Sequence, residues 1–232
     1  QPTQADRLPA RVEIITRADI EARALVSLPD ALGGEAVQTG GAGQQSSLFL
    51  RGANSKHALA LFDGIRLNDA ATPNSQYDFG LDTLGGLERI EIVRGPASSL
   101  YGSDAIGGVV NLIPRRGGEA PFAAFAEASA GSFASHRVLA GVAGAQARSE
   151  YGASAEWFAT EGYDLVPARM ATHTGDSDGA EIATLTASVR HQGGGVTWDG
   201  LARLRRSNTA FDSFSGGPFF DLRADDPDLE NE

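Results

Sequence analysis

The sequence predicts a two-part fold: an α+β domain over residues 1–118, followed by antiparallel β-strands over residues 119–232. Two observations predict it. Within residues 50–113, short apolar runs end at glycine turns such as Asp63-Gly64, a strong hairpin signal. From Pro121 onward the strand-like segments become longer and alternate between apolar and polar residues, which is the period of a strand with two different faces.

The first domain is predicted to open with a strand and two short helices. Residues 12–15 have strand character, and Thr16 follows as a helix N-cap, with Asp19 three residues later as its capping-box partner. Ser27 is the predicted N-cap of the second helix, which carries Asp30 in its first turn. The predicted order is therefore strand, helix, helix.

The rest of the first domain alternates short strands with polar loops. Residues 38–47 are rich in glycine and glutamine, and residues 53–57 and 67–79 form two further loops that are too polar for a core. Short strands with tight turns between them favour a compact mixed sheet. These strands are predicted at residues 47–51, 58–63, 65–67, 90–93 and 109–113.

The second part is predicted to contain about five long strands. In the last of them, Trp198 and Leu204 alternate with Thr197 and Arg203, so one face is apolar and the other is polar. A soluble sandwich would bury the apolar face, whereas a porin-type barrel would turn it toward lipid, and the alternation alone fits both. The five strands are predicted at residues 122–133, 137–147, 151–160, 182–192 and 196–206.

Composition argues against several classes of protein. The net charge of −11 and the pI of about 4.8 argue against nucleic-acid binding, which needs a basic face. The sequence has no cysteine, so it has neither a disulfide framework nor a thiolate metal site. The four histidines are scattered, and neither a nucleophile elbow nor a zinc-protease motif is present, which argues against an enzyme.

Four motifs follow one another between residues 51 and 111, and together they resemble the plug domain of TonB-dependent outer-membrane receptors. They are Arg51-Gly52, Asp63-Gly64 with Arg66, residues 93–96 (Val-Arg-Gly-Pro) and residues 101–111 (Tyr-Gly-Ser through Asn). The resemblance implies that residues 1–118 are a plug, and that the strands behind it begin a transmembrane barrel in the outer membrane of a Gram-negative bacterium. The largest plugged barrels have about 22 strands, so we expect this chain to be a fragment.

The resemblance also implies partners. The barrel would face the lipid bilayer, and the TonB energy-transducing complex would act through a Ton box upstream of residue 1. In the family, the plug loops touch the substrate, which makes Asn54, Ser55 and Tyr77 the predicted substrate-binding residues. The alternative is that these loops are only solvated.

Two long acidic loops are predicted at the same end of the strands, over residues 162–180 and beyond Ser207. Carboxylate oxygens suit calcium, which takes about six to eight oxygen ligands. The resemblance narrows here to the cobalamin-transporting branch of the family, whose calcium-binding loops carry a similar succession of aspartates. We therefore expect bound calcium; the alternative is an acidic surface that stays solvated. The predicted ligands are Asp164, Asp176, Asp178, Asp212 and Asp221.

The function predicted from the sequence is TonB-coupled uptake of a corrinoid such as cobalamin. A ferric-siderophore receptor of the same fold is the alternative, because plug motifs are shared across substrates. A soluble ligand-binding β-domain is a third possibility. It would extract without detergent, which separates it from the two receptors.

Overall fold

The structure is a computed structural model, and it describes most of the chain. The described residues are 11–68, 77–95, 98–170, 173–215, 222–224 and 230–231. Two sheets dominate. The first belongs to an N-terminal domain that ends at Pro114, and the second is a sheet of long antiparallel strands that begins at Ala123. This arrangement confirms the predicted fold class.

The sheet of the N-terminal domain has five strands in the order β1-β6-β7-β4-β5. Strands β4 and β7 are parallel, and every other neighbouring pair is antiparallel, so the sheet is mixed as predicted. A separate hairpin, β2 with β3, lies beside it. The strands are β1 (Arg11–Thr16), β2 (Ala36–Gln38), β3 (Ser46–Leu48), β4 (Ala58–Phe62), β5 (Ile65–Arg66), β6 (Leu87–Arg94) and β7 (Gly108–Pro114).

Capping boxes begin the first two helices, as the sequence predicts. The backbone amide of Asp19 donates to Thr16 Oγ1 at 3.2 Å, and the Thr16 amide donates back to the Asp19 carboxylate at 2.9 Å. Ser27 and Asp30 repeat this arrangement. Within the described ranges, no helix is long and apolar enough to cross a membrane. The helices are α1 (Arg17–Ala22), α2 (Leu28–Leu32) and α3 (Ser98–Tyr101).

The hydrophobic core of the N-terminal domain lies between its mixed sheet and the opening helices. Ile90 and Ile92 of β6 and Val110 and Leu112 of β7 are fully buried in it, together with Leu28 of α2. The alternation of apolar residues along β6 and β7 therefore turns one face of the sheet into the core. The opposite face holds a smaller cluster that includes Leu59, Leu61 and Val109.

The second sheet has six antiparallel strands, of which five are long and neighbour one another in sequence order. We call these five strands the wall; the sixth, a short strand near the end of the chain, pairs with the last of them. The strands of the wall are β8 (Ala123–Ala130), β9 (His136–Gln146), β10 (Ser149–Thr160), β11 (Ala180–Gly193) and β12 (Val196–Ala210). Strand β12 runs four residues beyond the predicted end. The sequence predicts only an acidic loop beyond Ser207, which is wrong, because this stretch also contains β13 (Ser213–Ser215), β14 (Leu222–Ala224) and β15 (Glu230–Asn231).

The two faces of the wall differ as the alternation predicts. Trp198 is 67% exposed and Leu204 is 69% exposed on the outer face. Arg203 points the other way, onto the N-terminal domain, where its guanidinium lies 4.7 Å from the centre of the Phe62 ring. A soluble sandwich would bury Trp198 and Leu204, whereas a barrel wall exposes them to lipid and turns the polar face inward.

The connections of the wall are short at one end and long at the other. Two residues join β9 to β10 and two join β11 to β12, while residues 161–179 connect β10 to β11. The linker from the N-terminal domain arrives at the short-turn end, where the Gly117 amide donates to the Tyr151 carbonyl at 3.2 Å. Outer-membrane barrels have short turns at one end and long loops at the other, and the wall shows the same asymmetry.

Candidate functional site

A buried cluster of charged side chains joins the N-terminal domain to the wall; we call it the Asp82 cluster. Asp82 is fully buried, and its Oδ1 accepts hydrogen bonds from Arg203 Nη2 at 2.6 Å and Arg205 Nη1 at 3.1 Å. The Tyr77 hydroxyl donates to the same oxygen at 3.0 Å. One carboxylate of the N-terminal domain is thus held by two arginines of β12, and such charge-assisted bonds are strong when they are buried.

The pKa of Tyr77 reflects this surrounding. Burial raises it to about 12 from an ordinary value of 10.0, and the charge of Asp82 adds to the effect. The pKa of Tyr77 is higher in the folded protein than in the unfolded chain. The contribution of the neutral Tyr77 to the stability of the fold is therefore complete below pH 10.0 and is lost as the pH rises through about 12.

Ultraviolet titration of the full-length protein is expected to show this late tyrosine. The Tyr77→Phe variant should lack the tyrosinate absorbance that the unmodified protein develops near pH 12. Its absorbance near pH 10.0 should be unchanged. Loss of absorbance near pH 10.0 instead would contradict the burial of Tyr77. Tyr101→Phe is the matched control, because Tyr101 is 39% exposed.

A second cluster forms beside the first, around Glu156 of β10. Glu156 accepts from Thr83 Oγ1 at 2.7 Å and from the Gly85 amide at 3.1 Å, both in the N-terminal domain. Arg137 Nε of β9 donates to the same carboxylate at 2.5 Å. The segment Asp82–Gly86 is therefore held by acidic and basic groups of the wall on both sides.

Arg17 of helix α1 adds a third connection. Its Nη1 donates to the carbonyls of Leu84 and Gly85 at 3.1 and 3.2 Å, and its Nη2 donates to both oxygens of Glu127 on β8, at 2.8 and 3.0 Å. Arg17 is almost completely buried. One guanidinium thus joins the helix, the segment Asp82–Gly86 and the wall.

Glycines allow the two parts to approach closely. A Cβ built on Gly85 would lie 2.5 Å from Arg137 Nη2 and 2.6 Å from the Glu156 carboxyl carbon. A Cβ on Gly152 of β10 would lie 1.9 Å from the carbonyl oxygen of Arg115, which belongs to the linker. Side chains at these positions cannot fit without displacing backbone or buried charged groups.

The glycine-rich loop at residues 39–45 contacts the end of the wall that carries the long loops. Gln44 Nε2 donates to the carbonyl of Ala210, at the end of β12, at 2.5 Å. Gly41 packs against the ring of Tyr163, which in turn lies 5.1 Å from the ring of Phe133. This loop of the N-terminal domain therefore reaches the long loops of the wall.

The three predicted substrate-binding residues have different surroundings. Asn54 is exposed, and its side chain accepts from the Lys56 amide at 3.3 Å. Ser55 is buried, and its hydroxyl bonds both the amide and the carbonyl of Leu48, at 2.6 and 3.1 Å. Tyr77 belongs to the Asp82 cluster. Substrate binding by these residues stays a prediction; the contacts described here hold the domain together.

The predicted calcium ligands are not gathered into one site among the described residues. Asp164 accepts from the Val166 amide at 2.7 Å and pairs with His173 at 2.7 Å, while Asp176 accepts from Thr174 at 3.2 Å. Asp178 and Asp212 are buried. Asp221 lies outside the described residues. In the part of the chain that the structure describes, no three acidic or histidine side chains are grouped as metal ligands.

The residues of the sequence motifs are used within the N-terminal domain. Arg94 Nε donates to both oxygens of Glu35 at 2.9 and 2.8 Å and Arg94 also pairs with Glu13, which raises the pKa of its guanidinium. Arg66 pairs with Asp104. The turn at Asp63-Gly64 is bound by Asn111, whose Oδ1 accepts from the Gly64 amide at 3.1 Å. Asp63 itself pairs with Arg116 of the linker.

The residues that join the two parts are not predicted by the sequence, although the alternation puts Arg203 on the polar face of its strand. Asp82 carried a usable signal, since it is an acidic residue that stands with Thr83 between the apolar Leu81 and Leu84. The missed residues are Arg17, Asp82, Glu127, Arg137, Glu156 and Arg205.

The N-terminal domain packs through buried charged groups against the polar face of the wall. This arrangement is typical of a membrane barrel that is closed by a plug. Residues 4–109 match the family model described as TonB-dependent Receptor Plug Domain. The N-terminal domain accordingly matches the plug domain of TonB-dependent receptors and, together with the wall, indicates a place in the outer membrane of a Gram-negative bacterium, as expected.

Solved structures share this fold. The pyoverdine outer-membrane receptor FpvA from Pseudomonas aeruginosa PAO1 superposes with a TM-score of 0.70 at 15% identity, over 91% of this chain and 30% of the receptor. The siderophore receptor PiuA from Acinetobacter baumannii superposes with a TM-score of 0.66 at 18% identity, over 88% of this chain and 27% of the receptor. The ferric-catecholate import receptor Fiu from E. coli K12 superposes with a TM-score of 0.64 at 18% identity, over 88% of this chain and 28% of the receptor. The chain thus spans less than a third of the length of these receptors.

Proposed function

We propose that this chain is part of a receptor that binds a ferric siderophore outside the cell and passes it to the periplasm with energy from the TonB complex. The observation that carries the proposal is the plug domain held against the inner face of the wall. A ligand entering from the extracellular loops meets this domain. Its passage therefore requires the domain to be remodelled, and an external energy source supplies that step.

The substrate class rests on the neighbours. FpvA, PiuA and Fiu are named for pyoverdine, a siderophore and a ferric catecholate, respectively. The sequences of these receptors are at most 18% identical to this chain, so the similarity establishes only the fold. They support the siderophore alternative better than cobalamin, which the sequence favoured and which the comparisons do not support.

Uptake by cells that carry the full-length gene is expected to distinguish the two substrates. Radiolabelled iron bound to a panel of pyoverdine-type and catecholate siderophores should accumulate, and the accumulation should disappear in cells that lack the TonB complex. Radiolabelled cobalamin should not accumulate above the level of cells without the gene. Cobalamin uptake without siderophore uptake would reverse the assignment.

We propose that the extracellular loops contact the substrate together with Asn54, because Asn54 is exposed whereas Ser55 and Tyr77 are buried. In this role Ser55 positions the backbone of Leu48 and Tyr77 holds the Asp82 carboxylate, and neither touches the ligand. Asn54→Ala should then weaken siderophore binding directly.

Calcium binding by the acidic loops is a separate proposal. Its support is the burial of Asp178 and Asp212 near the hydrogen bond from the Ala210 amide to the Gly179 carbonyl, at 3.0 Å, which holds the ends of β11 and β12 together. Carboxylate oxygens beside the ends of paired strands are ligands of the kind that calcium prefers.

Calcium is expected to slow amide hydrogen exchange in residues 161–179 of the full-length receptor. The double variant Asp178→Asn with Asp212→Asn should lose this effect, while the control Asp199→Asn, at the other end of the wall, should retain it. Identical exchange with and without calcium in the unmodified receptor would refute calcium binding by this loop.

A further inference from the structure

A small cavity lies in the joint between the plug domain and the wall. Gly86 and Leu87 form its side on the plug domain, and Ser154, Thr184 and Thr186 form its side on the wall. The volume that the centre of a water molecule can occupy in it is about 10 Å³, which is close to the minimum that one water requires.

Two polar atoms at this cavity make no hydrogen bond to any residue that the structure describes. They are Oγ1 of Thr184 and Nε of Arg203. Thr184 is 93% buried, since only 7% of its surface is exposed, and both residues line the cavity. Buried polar groups in folded proteins are nearly always paired, with protein atoms or with ordered water.

The chemistry of the lining fits one water. Arg203 Nε can only donate, while the Thr184 hydroxyl both donates and accepts, so a single water can bond both at once. The hydroxyls of Ser154 and Thr186 and the carboxylate of Glu156 supply further polar neighbours. A buried water typically makes about three hydrogen bonds, and this lining offers that number.

The absence of a side chain at Gly86 keeps the space open. A Cβ built there would lie 2.6 Å from Ser154 Oγ and 3.7 Å from Thr186 Oγ1, on the wall side of the cavity. A methyl group at residue 86 would therefore occupy the volume that lies between the plug domain and the wall.

We propose that this cavity binds one ordered water, held by Thr184 Oγ1 and Arg203 Nε. Both atoms belong to the wall, so the water satisfies polar groups of the wall where they face Gly86 and Leu87 of the plug domain. When the two surfaces separate, the bound water exchanges with bulk water and neither polar atom is left unpaired. The inference holds whether or not the transported substrate is a siderophore.

Crystal structures of the full-length receptor, at a resolution that shows ordered water, test the proposal. The unmodified receptor should contain a water within hydrogen-bonding distance of both atoms. Thr184→Val keeps the shape of the side chain but removes the hydroxyl, and the water should be lost. Thr184→Ser keeps the hydroxyl, and the water should remain.

Gly86→Ala gives a second route that leaves Thr184 intact. Its methyl group should displace the water even if Thr184→Val does not assemble. A dry cavity in the unmodified receptor overturns the proposal, as does Arg203 Nε bonded directly to Asp82. A water that persists unchanged in both Thr184→Val and Gly86→Ala also overturns it.

Discussion

Replacing Asp82 with alanine is expected to open the joint between the plug domain and the wall. The substitution leaves Arg203 and Arg205 without their shared carboxylate at a position that is closed to solvent. Removing one partner of a buried ion pair costs about 3–5 kcal/mol, because the remaining charge stays desolvated. Amide exchange in the segment Asp82–Gly86 of the full-length receptor should accelerate on the order of a thousandfold, if it proceeds through local opening.

The ion pair of Arg190 and Asp199 provides the matched control. It joins β11 to β12, the strand that also carries Arg203 and Arg205, with a bond of 2.6 Å, but both side chains are substantially exposed. Exposed pairs contribute about 0–1 kcal/mol, so Asp199→Ala should leave exchange in the segment Asp82–Gly86 nearly unchanged. Equal effects of the two substitutions would show that the Asp82 cluster does not hold the joint.

Replacing Gly152 with alanine is expected to destabilise the receptor where the linker crosses the wall. The new Cβ would lie 1.9 Å from the carbonyl oxygen of Arg115, so the linker backbone or strand β10 must move. Overpacking of this kind typically costs about 1–3 kcal/mol. The hydrogen bond from the Gly117 amide to the Tyr151 carbonyl should weaken with it. Thermal unfolding of the full-length receptor should begin at a lower temperature.

Gly34→Ala is the control for this steric effect. A Cβ on Gly34 meets no atom within 4 Å, and its backbone is not in the left-handed region. The variant should unfold at the same temperature as the unmodified receptor or slightly higher, since alanine restricts the unfolded chain. Loss of stability at Gly34 equal to that at Gly152 would contradict the steric explanation.

Local features of this fold could be predicted because their causes are local. Thr16 and Ser27 cap their helices through partners three residues away, and the alternation around Trp198 and Leu204 depends only on strand geometry. These signals lie within a few residues of one another in the sequence. The motifs of the plug domain could be recognised for the same reason.

The joint between the two parts could not be predicted in this way. Asp82 meets Arg203 across 121 positions, and Arg17 meets Glu127 across 110. Nothing in either neighbourhood indicates which distant charge will be the partner. Tyr77 shows the same limit, because a polar loop suggested exposure, whereas its hydroxyl is satisfied by a buried carboxylate.

The single guanidinium of Arg17 has a mechanical consequence. Carrying helix α1 away from the wall and from the segment Asp82–Gly86 must break four hydrogen bonds of one side chain, two to Glu127 and two to backbone carbonyls. Since these bonds share one rigid planar group, they fail together rather than one after another. A force applied to the chain before Arg17 would therefore meet a threshold, below which the helix stays seated and above which it detaches in one step.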